Sequence, residues 1–365
     1  MRALPRWVDM GLLPFLNLGA AMLVTALLIL VLGENPLRAL EVLAFGAFGY
    51  GEGVGYTLYY ATNFVFTGLA FAVAFHAGLF NIGAEGQAYL GGLGVGLACL
   101  ALDRHVPFVL ILPAAILGGA AMGALWGAIP GWLQARRGAH IVITTIMFNF
   151  IAAAVMTYLL VNVLIEPGQA APETRDFEAS ATLPSLDALL EVFGLDPGRS
   201  PLNLAFVIAL LACIAVWFFL WKTRQGYALR VCGQSHDAAR YAGIDPARMT
   251  VVAMALAGAL AGLMALNEIM GVQERLLLGF TGGYGFVGIA VALMGRNHPA
   301  GIIAAAVLFG ALYQGGSELA FVMPTISRDM VVVIQGLVIL FAGALENMFR
   351  PALTRAFAEP AREAG

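Results

Sequence analysis

The sequence is poor in charge. Asp, Glu, Lys and Arg make up 11 % of its 365 residues, where a soluble domain carries about a quarter, and 61 % are apolar. A fold surrounded by water cannot hide so much apolar surface. Lysine occurs once, as Lys222, and Trp221 rather than glycine precedes it. The Gly-x-x-x-x-Gly-Lys-Ser/Thr phosphate loop is therefore absent, and the chain cannot hydrolyse ATP by that route. The three cysteines, Cys99, Cys213 and Cys232, lack Cys-x-x-Cys spacing, so no disulfide or zinc framework is indicated. His76, His105, His140, His236 and His298 stand apart, and neither His-Glu-x-x-His nor Gly-x-Ser-x-Gly occurs. Metal ligation and an intramembrane hydrolase are thus unsupported. A net charge of -3 gives no reason to expect nucleic acid.

What the sequence does have is apolar runs from end to end, each near the ~20 residues that carry a helix across a bilayer. Divided at polar or Pro/Gly breaks, they predict spans near 11–33, 61–77, 84–102, 108–133, 140–165, 202–221, 248–271, 283–295, 299–316 and 329–346. The expected fold is all-α: a polytopic integral membrane helix bundle of about ten transmembrane helices, one domain over 1–365, with a hint of internal duplication. The first run follows Arg2 and Arg6, but it exceeds the about 7 to 15 residues of a signal-peptide core and lacks a small-x-small cleavage site. It reads as a retained span.

Sidedness follows from the basic residues. Across the ten spans, thirteen Lys and Arg fall on one side and six on the other. Basic loops stay cytoplasmic, so both chain ends are expected there. The loop at 166–200, with seven acidic residues and two arginines, is then external. Within it Leu183, Leu186, Leu189, Leu190 and Phe193 recur at near-helical spacing, as in a short surface helix or a solvated connector with one packed turn. Gly119, Gly123, Gly127 and Gly131, and likewise Gly258 and Gly262, form small-residue stripes that let helices approach closely.

Three stretches carry the functional expectations. The first, His76-Ala-Gly-Leu-Phe-Asn-Ile-Gly-Ala-Glu-Gly-Gln87, interrupts two apolar runs and brings Asn81, Glu85 and Gln87 into or near the membrane. Irregular backbone there must face protein or a water-filled path, so the break is either a solute site or a tight interhelical turn. The expected substrate pathway comprises Phe66, Asn81, Glu85, Gln87, Asn149 and Asn267, with Phe64 and Phe80 able to approach an apolar face of the cargo. Of these, Asn81 and Gln87 suit an uncharged hydroxylated solute, whereas Glu85 is expected to pair with a backbone amide or lie at the membrane edge.

The second stretch is the glycine-rich break at 279–288. It matches Gly-x-Gly-x-x-Gly formally, but no strand precedes it and no acidic residue follows at the needed distance, so it is not a dinucleotide loop. The third is the cytoplasmic segment 222–247. Its Ser235 to Tyr241 reads as a short helix with Ser235 as N-cap, Asp237 in the first turn and Gly243 past the end. Such a helix could dock in a groove of another protein or serve as a plain connector. Glu85 and Glu268 are the acidic residues that can lie deep, and they keep an ion-coupled secondary carrier open as the alternative.

Taken together, Gly78-Leu-Phe-Asn-Ile-Gly-Ala-Glu-Gly-Gln87, Gly226-Tyr-Ala-Leu-Arg230 and Ala238-Ala-Arg-Tyr-Ala-Gly-Ile244 resemble permease subunits of bacterial ATP-binding-cassette importers for ribose-type sugars and nucleosides. The first is closest to the nucleoside-type branch. The resemblance covers roughly residues 60 to 345. It implies that Ser235, His236, Asp237, Ala238, Ala239, Arg240 and Gly243 form the ATPase-coupling element, with no separate role for His236 or Cys232. It also implies ATP and magnesium in a partner ATPase and no cofactor in this chain, a second permease subunit, an external substrate-binding protein, and a bacterial inner-membrane location.

Overall fold

The computed structural model describes residues 5, 8, 12–341 and 349–357. Most of both chain ends, and residues 342–346 of the last predicted span, lie outside the described residues. The helices are α1 (Leu13–Val31), α2 (Pro36–Phe48), α3 (Gly51–His76), α4 (Ala84–Leu102), α5 (Phe108–Arg137), α6 (Ile141–Asn162), α7 (Asp187–Val192), α8 (Ala205–Lys222), α9 (Arg224–Gln234), α10 (His236–Tyr241), α11 (Pro246–Ala265), α12 (Tyr284–Met294), α13 (Pro299–Val322), α14 (Arg328–Ile339) and α15 (Arg350–Phe357). A π-helical stretch, Leu266–Gln273, continues α11. The chain divides into a unit of residues 50–310 and a smaller one of 1–49 with 311–365.

Six helices among the described residues are long and apolar enough to cross a membrane: α3, α5, α6, α8, α11 with its π turn, and α13. A seventh is reached if α1 and α2, bent by 118° at their junction, count as one broken span. An integral membrane helical bundle is therefore what the chain forms, but the expected ten full-length helices do not all appear among the described residues. The predicted span 283–295 is the 11-residue helix α12. At 1.5 Å per residue it covers about half of a ~30 Å hydrocarbon core. Helix α2 falls between the first two predicted spans; Asn35 caps it by accepting from Leu37 N at 2.9 Å, and Pro36 opens it. Helix α3 starts at Gly51, well before 61, because Glu52 in its first turn suits a helix start rather than a break.

The smaller unit has its own apolar cluster, built from Ile29, Ala39, Leu319, Met323, Ile326, Val331 and Ile334. In the larger unit the glycine stripes are seams. A Cβ on Gly123 would overlap the Gly258 carbonyl oxygen, and one on Gly119 would press on Val95 while one on Gly262 would overlap the Gly119 oxygen. Gly91 of α4 meets Gly262 in the same way, so α4, α5 and α11 touch backbone to backbone.

The connections of the larger unit gather at two ends. At one end Arg175 grips Asp103 at the end of α4, Arg104 pairs with Glu178 at 3.3 Å, and Arg275 reaches Glu173 at 3.3 Å and Asp176 at 3.2 Å. Leu183 N donates to Met270 O at 2.9 Å there, and the start of α3 packs on Asp196 and Ser200. The amphipathic pattern in this loop yields only the six-residue α7, with Leu183 and Leu190 buried and Phe193 exposed. At the other end Trp221 lies between His76, at 5.3 Å, and His298, at 5.0 Å, and His76 Nε2 is 3.0 Å from Asn297 O.

Asp103 holds the 166–200 loop in place. It accepts from Arg175 at 2.7 and 2.8 Å and from Glu178 N at 3.1 Å. Burial raises its carboxyl, but the Arg175 hydrogen bonds, the Glu178 amide and the nearby guanidinium charge outweigh burial and hold it below the usual carboxylate range. Such a depressed acid contributes stability above its unfolded pKa and loses it as pH falls through its folded one. The loop should therefore resist protease in mild acid and open only below about pH 4, while Asp103→Asn should open it at neutral pH; cleavage within 166–200 followed against pH measures both. Gly123→Leu should cost about 1–3 kcal/mol or more through overpacking, seen as a lower melting temperature in detergent, whereas Leu125→Ala on the exposed side of α5 should change little.

Candidate functional site

Two glycine-rich breaks from distant parts of the sequence meet inside the larger unit. Helix α3 ends at His76, the chain runs irregularly to Gly83, and α4 begins at Ala84. Beyond the π turn, residues 274–283 form a second irregular stretch that runs down along α4. Leu276 lies against Gly96, Phe280 against Gly92, and Thr281 at Glu85. The glycines of α4 thus make room for a non-helical segment packed against protein.

Glu85 joins the two breaks. Its Oε1 accepts from Thr281 Oγ1 at 2.5 Å and Gly283 N at 3.1 Å, and its Oε2 accepts from Gly285 N at 2.9 Å. Gly283 is the N-cap of α12 and takes a left-handed φ of 78°. The side chain therefore satisfies the amides that a helix N-terminus leaves unpaired, and its charge complements the helix dipole. Of the groups expected to line a pathway, Glu85 is bound to backbone.

The neighbouring amides are also engaged. Asn81 Nδ2 donates to Gln87 Oε1 at 3.0 Å, and Asn81 Oδ1 accepts from Gly83 N at 2.9 Å and Gln87 Nε2 at 3.3 Å. Asn149 of α6 closes the break from outside, accepting from Gly86 N and donating to Ile82 O, both at 2.9 Å. Asn81, Glu85, Gln87 and Asn149 are thus brought together. Asn267 is not among them. It belongs to a second buried network, in which its Nδ2 donates to Asn63 Oδ1 at 2.9 Å and Tyr59 O at 3.1 Å, and Asn203 Nδ2 donates to its Oδ1 at 2.9 Å. Glu268 Oε1 takes bonds there from Tyr59 Oη at 2.6 Å and Asn63 Nδ2 at 2.5 Å. Phe66 is wholly buried in α3, while Phe80 stays 39 % exposed with its ring edge-on to Phe71 at 5.1 Å.

The expected coupling element is folded as a helix. Ser235 Oγ accepts from Ala238 N at 3.3 Å to cap α10, Ala239 is buried, and Gly243, with φ 76°, ends the turn with Ile244 N bonded to Ala239 O at 2.9 Å. Helix α9 before it packs on the first break. A Cβ on Gly233 would overlap His76 O, and one on Gly78 would lie 3.2 Å from the Gly233 backbone. Sequence reasoning did not see this contact, although glycine is the signal for a close backbone approach, here one in the break and one in α9.

A bundle of membrane-length helices with broken helices and buried polar groups at the breaks defines a multi-pass membrane transport protein. The chain belongs to the family described as branched-chain amino acid transport system / permease component, whose pattern matches residues 53–343. It is 35 % identical over 334 residues to the guanosine ABC transporter permease protein NupP of Bacillus subtilis, spanning 91 % of this chain and 93 % of that one. Identity to the glucose ABC transporter permease protein TsgB13 of Haloferax volcanii is 34 % over 342 residues, 93 % of this chain and 88 % of that one. For the nucleoside ABC transporter permease protein NupB of Lactococcus lactis it is 32 % over 361 residues, 97 % and 96 %. The protein is accordingly a permease subunit of an ABC transporter, a transport subunit whose ATPase activity resides in a partner.

Glu85→Gln keeps the size of the side chain but puts an amide NH2 where the Gly283 and Gly285 N–H groups need acceptors. Loss of one charge-assisted bond of this kind costs about 1.5–3 kcal/mol, and Glu85→Leu, which orphans every donor, should cost more. The melting temperature of the purified permease should fall in that order, with Thr281→Val the mildest.

Proposed function

We propose that this permease imports an uncharged nucleoside or simple sugar, driven by an ATPase that docks on α9 and α10. The observation that carries the reading is the direct backbone contact between Gly233 of α9 and Gly78 of the break. A docked ATPase that moves Ser235, His236, Asp237, Ala238, Ala239, Arg240 and Gly243 would move the wall of the break with them, because no compliant side chain lies between. The relatives whose names specify guanosine, nucleosides and glucose support the cargo class. So does Glu85. A half-helix N-terminus in a transporter is the natural seat for an anionic group of the solute. Here the chain's own carboxylate fills that seat, which disfavours a cargo with a carboxylate, an amino acid included.

On this reading the chain is one permease domain crossing the bacterial inner membrane ten times. Helices α4 and α14, the pair α1 and α2, and α12 with the irregular segment before it supply the traverses beyond the six long spans. The end that carries 222–247 is cytoplasmic, as are both termini, and the 166–200 loop faces outward toward a substrate-binding protein. A second permease subunit completes the pathway, and ATP and magnesium sit in the ATPase. The pathway residues first expected, Phe66, Asn81, Glu85, Gln87, Asn149 and Asn267, then act mainly by shaping the two breaks rather than by holding cargo.

Replacing Ala239, which is buried within the chain, with Trp should force α10 from its seat at a packing cost of about 1–3 kcal/mol and so misplace the docking surface. Reconstituted transporter should lose ATP-driven uptake accordingly while the variant still inserts. Uptake that instead follows an imposed proton or sodium gradient without ATP would establish the secondary-carrier alternative. Nucleosides, pentoses, hexoses and leucine assayed side by side test the cargo class, and uptake of leucine alone would overturn it.

A further inference from the structure

The network around Asn267 leaves one oxygen open. The π-helical stretch Leu266–Gln273 brings the adjacent Asn267 and Glu268 both onto α3, and π turns within helices gather at functional sites. Glu268 Oε1 takes both bonds that reach this side chain, from Tyr59 Oη and Asn63 Nδ2. Its Oε2 bonds to none of the described residues, yet it is not one of the buried side-chain atoms sealed from solvent without a partner. The 3 % of Glu268 that stays exposed is therefore where this oxygen reaches open space. Glu268 belongs to the membrane-length helix Pro246–Gln273, so the open oxygen cannot face lipid, where a polar atom without a partner is costly. It lies toward the 166–200 loop, since Met270, two residues further on, accepts from Leu183 N of that loop.

The chemistry of a carboxyl group narrows what can meet this oxygen. As a carboxylate it needs a donor; as a neutral acid it offers a proton and needs an acceptor. A hydroxyl group serves both. A metal ion would find no cluster of three acidic, His or Cys side chains among the described residues. Aromatic rings stand beside the network. The ring of Tyr59 lies 5.1 Å from that of Tyr60, which lies 6.3 Å from that of Tyr284, the first residue of α12. Tyr60 and Tyr284 are half-buried, whereas Phe64 and Phe66 are wholly buried. A sugar ring has hydroxyls at its edge and an apolar C–H face that packs on such rings.

We propose that Glu268 Oε2 and the accessible rings of Tyr60 and Tyr284 receive the sugar ring of the cargo on the side of the 166–200 loop. This rests on the reading of the chain as an importer of a neutral nucleoside or simple sugar, and it names the part of the solute that the two classes share. The aromatic contact expected of Phe66 passes to Tyr60 and Tyr284. One open oxygen supplies a single directional bond, and two half-buried rings supply a modest apolar contact, so the site holds its solute weakly.

The test uses the complete transporter in nanodiscs without binding protein, followed by ligand-observed NMR, which reads weak binding. The probes are adenosine, guanosine, ribose and glucose, each beside analogues that lack one sugar hydroxyl at a time. ATP-driven uptake of the four parents into proteoliposomes, with binding protein present, identifies the cargo. The cargo should bind, and the analogue lacking the hydroxyl that meets Glu268 should bind about tenfold more weakly, the value of one hydrogen bond to a buried carboxyl group. In Glu268→Leu the cargo should weaken by the same factor and that analogue should weaken no further, a coupling that a merely structural role does not produce. Glu268→Gln keeps an acceptor for Tyr59 and Asn63 and offers an N–H to the hydroxyl, so it should bind the cargo much as the wild type does. Tyr284→Leu should bind more weakly and Tyr284→Phe should not. Melting temperatures establish that the variants fold, and if Glu268→Leu does not, the analogues on the wild type and the Tyr284 pair decide. A transported solute that binds equally with every hydroxyl analogue, or equally in the wild type, Glu268→Leu and Tyr284→Leu, would overturn the contact and leave the importer reading standing. So would a folded Glu268→Gln that no longer binds, since charge and not hydrogen bonding would then be what the site needs. If none of the four is taken up with ATP, the importer reading fails, and the proposal fails with it.

Discussion

The structure depends on the bond between Glu85 and the start of α12. A helix that begins in the apolar interior of a bundle has amide groups with no carbonyl above them and no water to take its place. Each unsatisfied group there costs several kcal/mol. Glu85 answers this with both oxygens, accepting from Gly283 N, Gly285 N and Thr281 Oγ1. The burial of the carboxylate, costly by itself, is offset by those same donors and by the helix dipole. Because Glu85 stands in the first turn of α4, directly after the first break, one interaction fixes both irregular segments at once.

Around that joint the bundle is stiff. Helices α4, α5 and α11 touch through Gly91, Gly119, Gly123, Gly258 and Gly262, where backbones meet without intervening side chains. Such seams have little slack, since a packed interior shifts between discrete arrangements rather than deforming smoothly. The irregular stretches between His76 and Ala84 and between Glu274 and Gly283 lie outside the regular helices. Both are nonetheless tied down, by Glu85 and by the Asn81, Gln87 and Asn149 amides. Through Gly233 and Gly78, α9 rests directly on the backbone of the first.

Much of this was legible in the sequence because glycine and buried amides are rare enough in apolar runs to be conspicuous. The stripe at Gly119, Gly123, Gly127 and Gly131 is a helix seam, the break at 76–84 is a break, and Ser235 caps a short helix that Gly243 ends. Pairings across the sequence were not legible. Nothing local to Glu85 says that its partners are Thr281, Gly283 and Gly285, nor does Asn267 announce Asn203. The run at 283–295 was read as a span and is helical, but an apolar run reports burial, and the 11 residues of α12 are too few to cross a ~30 Å core alone.

The distribution of polar groups bears on how such a protein can move a solute. Asn81 with Gln87, Asn149 with the start of α4, and Asn63, Asn203, Asn267 and Glu268 among themselves form closed sets, each bonded within the protein. A polar group that is already bonded gains little by exchanging its partner for a solute hydroxyl, since one hydrogen bond replaces another. A passage built beside such groups is polar enough to admit a hydroxylated solute and yet holds it weakly. Weak holding suits a membrane subunit of an importer as proposed, because a binding protein can supply the affinity and tight binding along the route would retard release. The buried amides then serve the fold first, and a low-affinity route follows from their being satisfied.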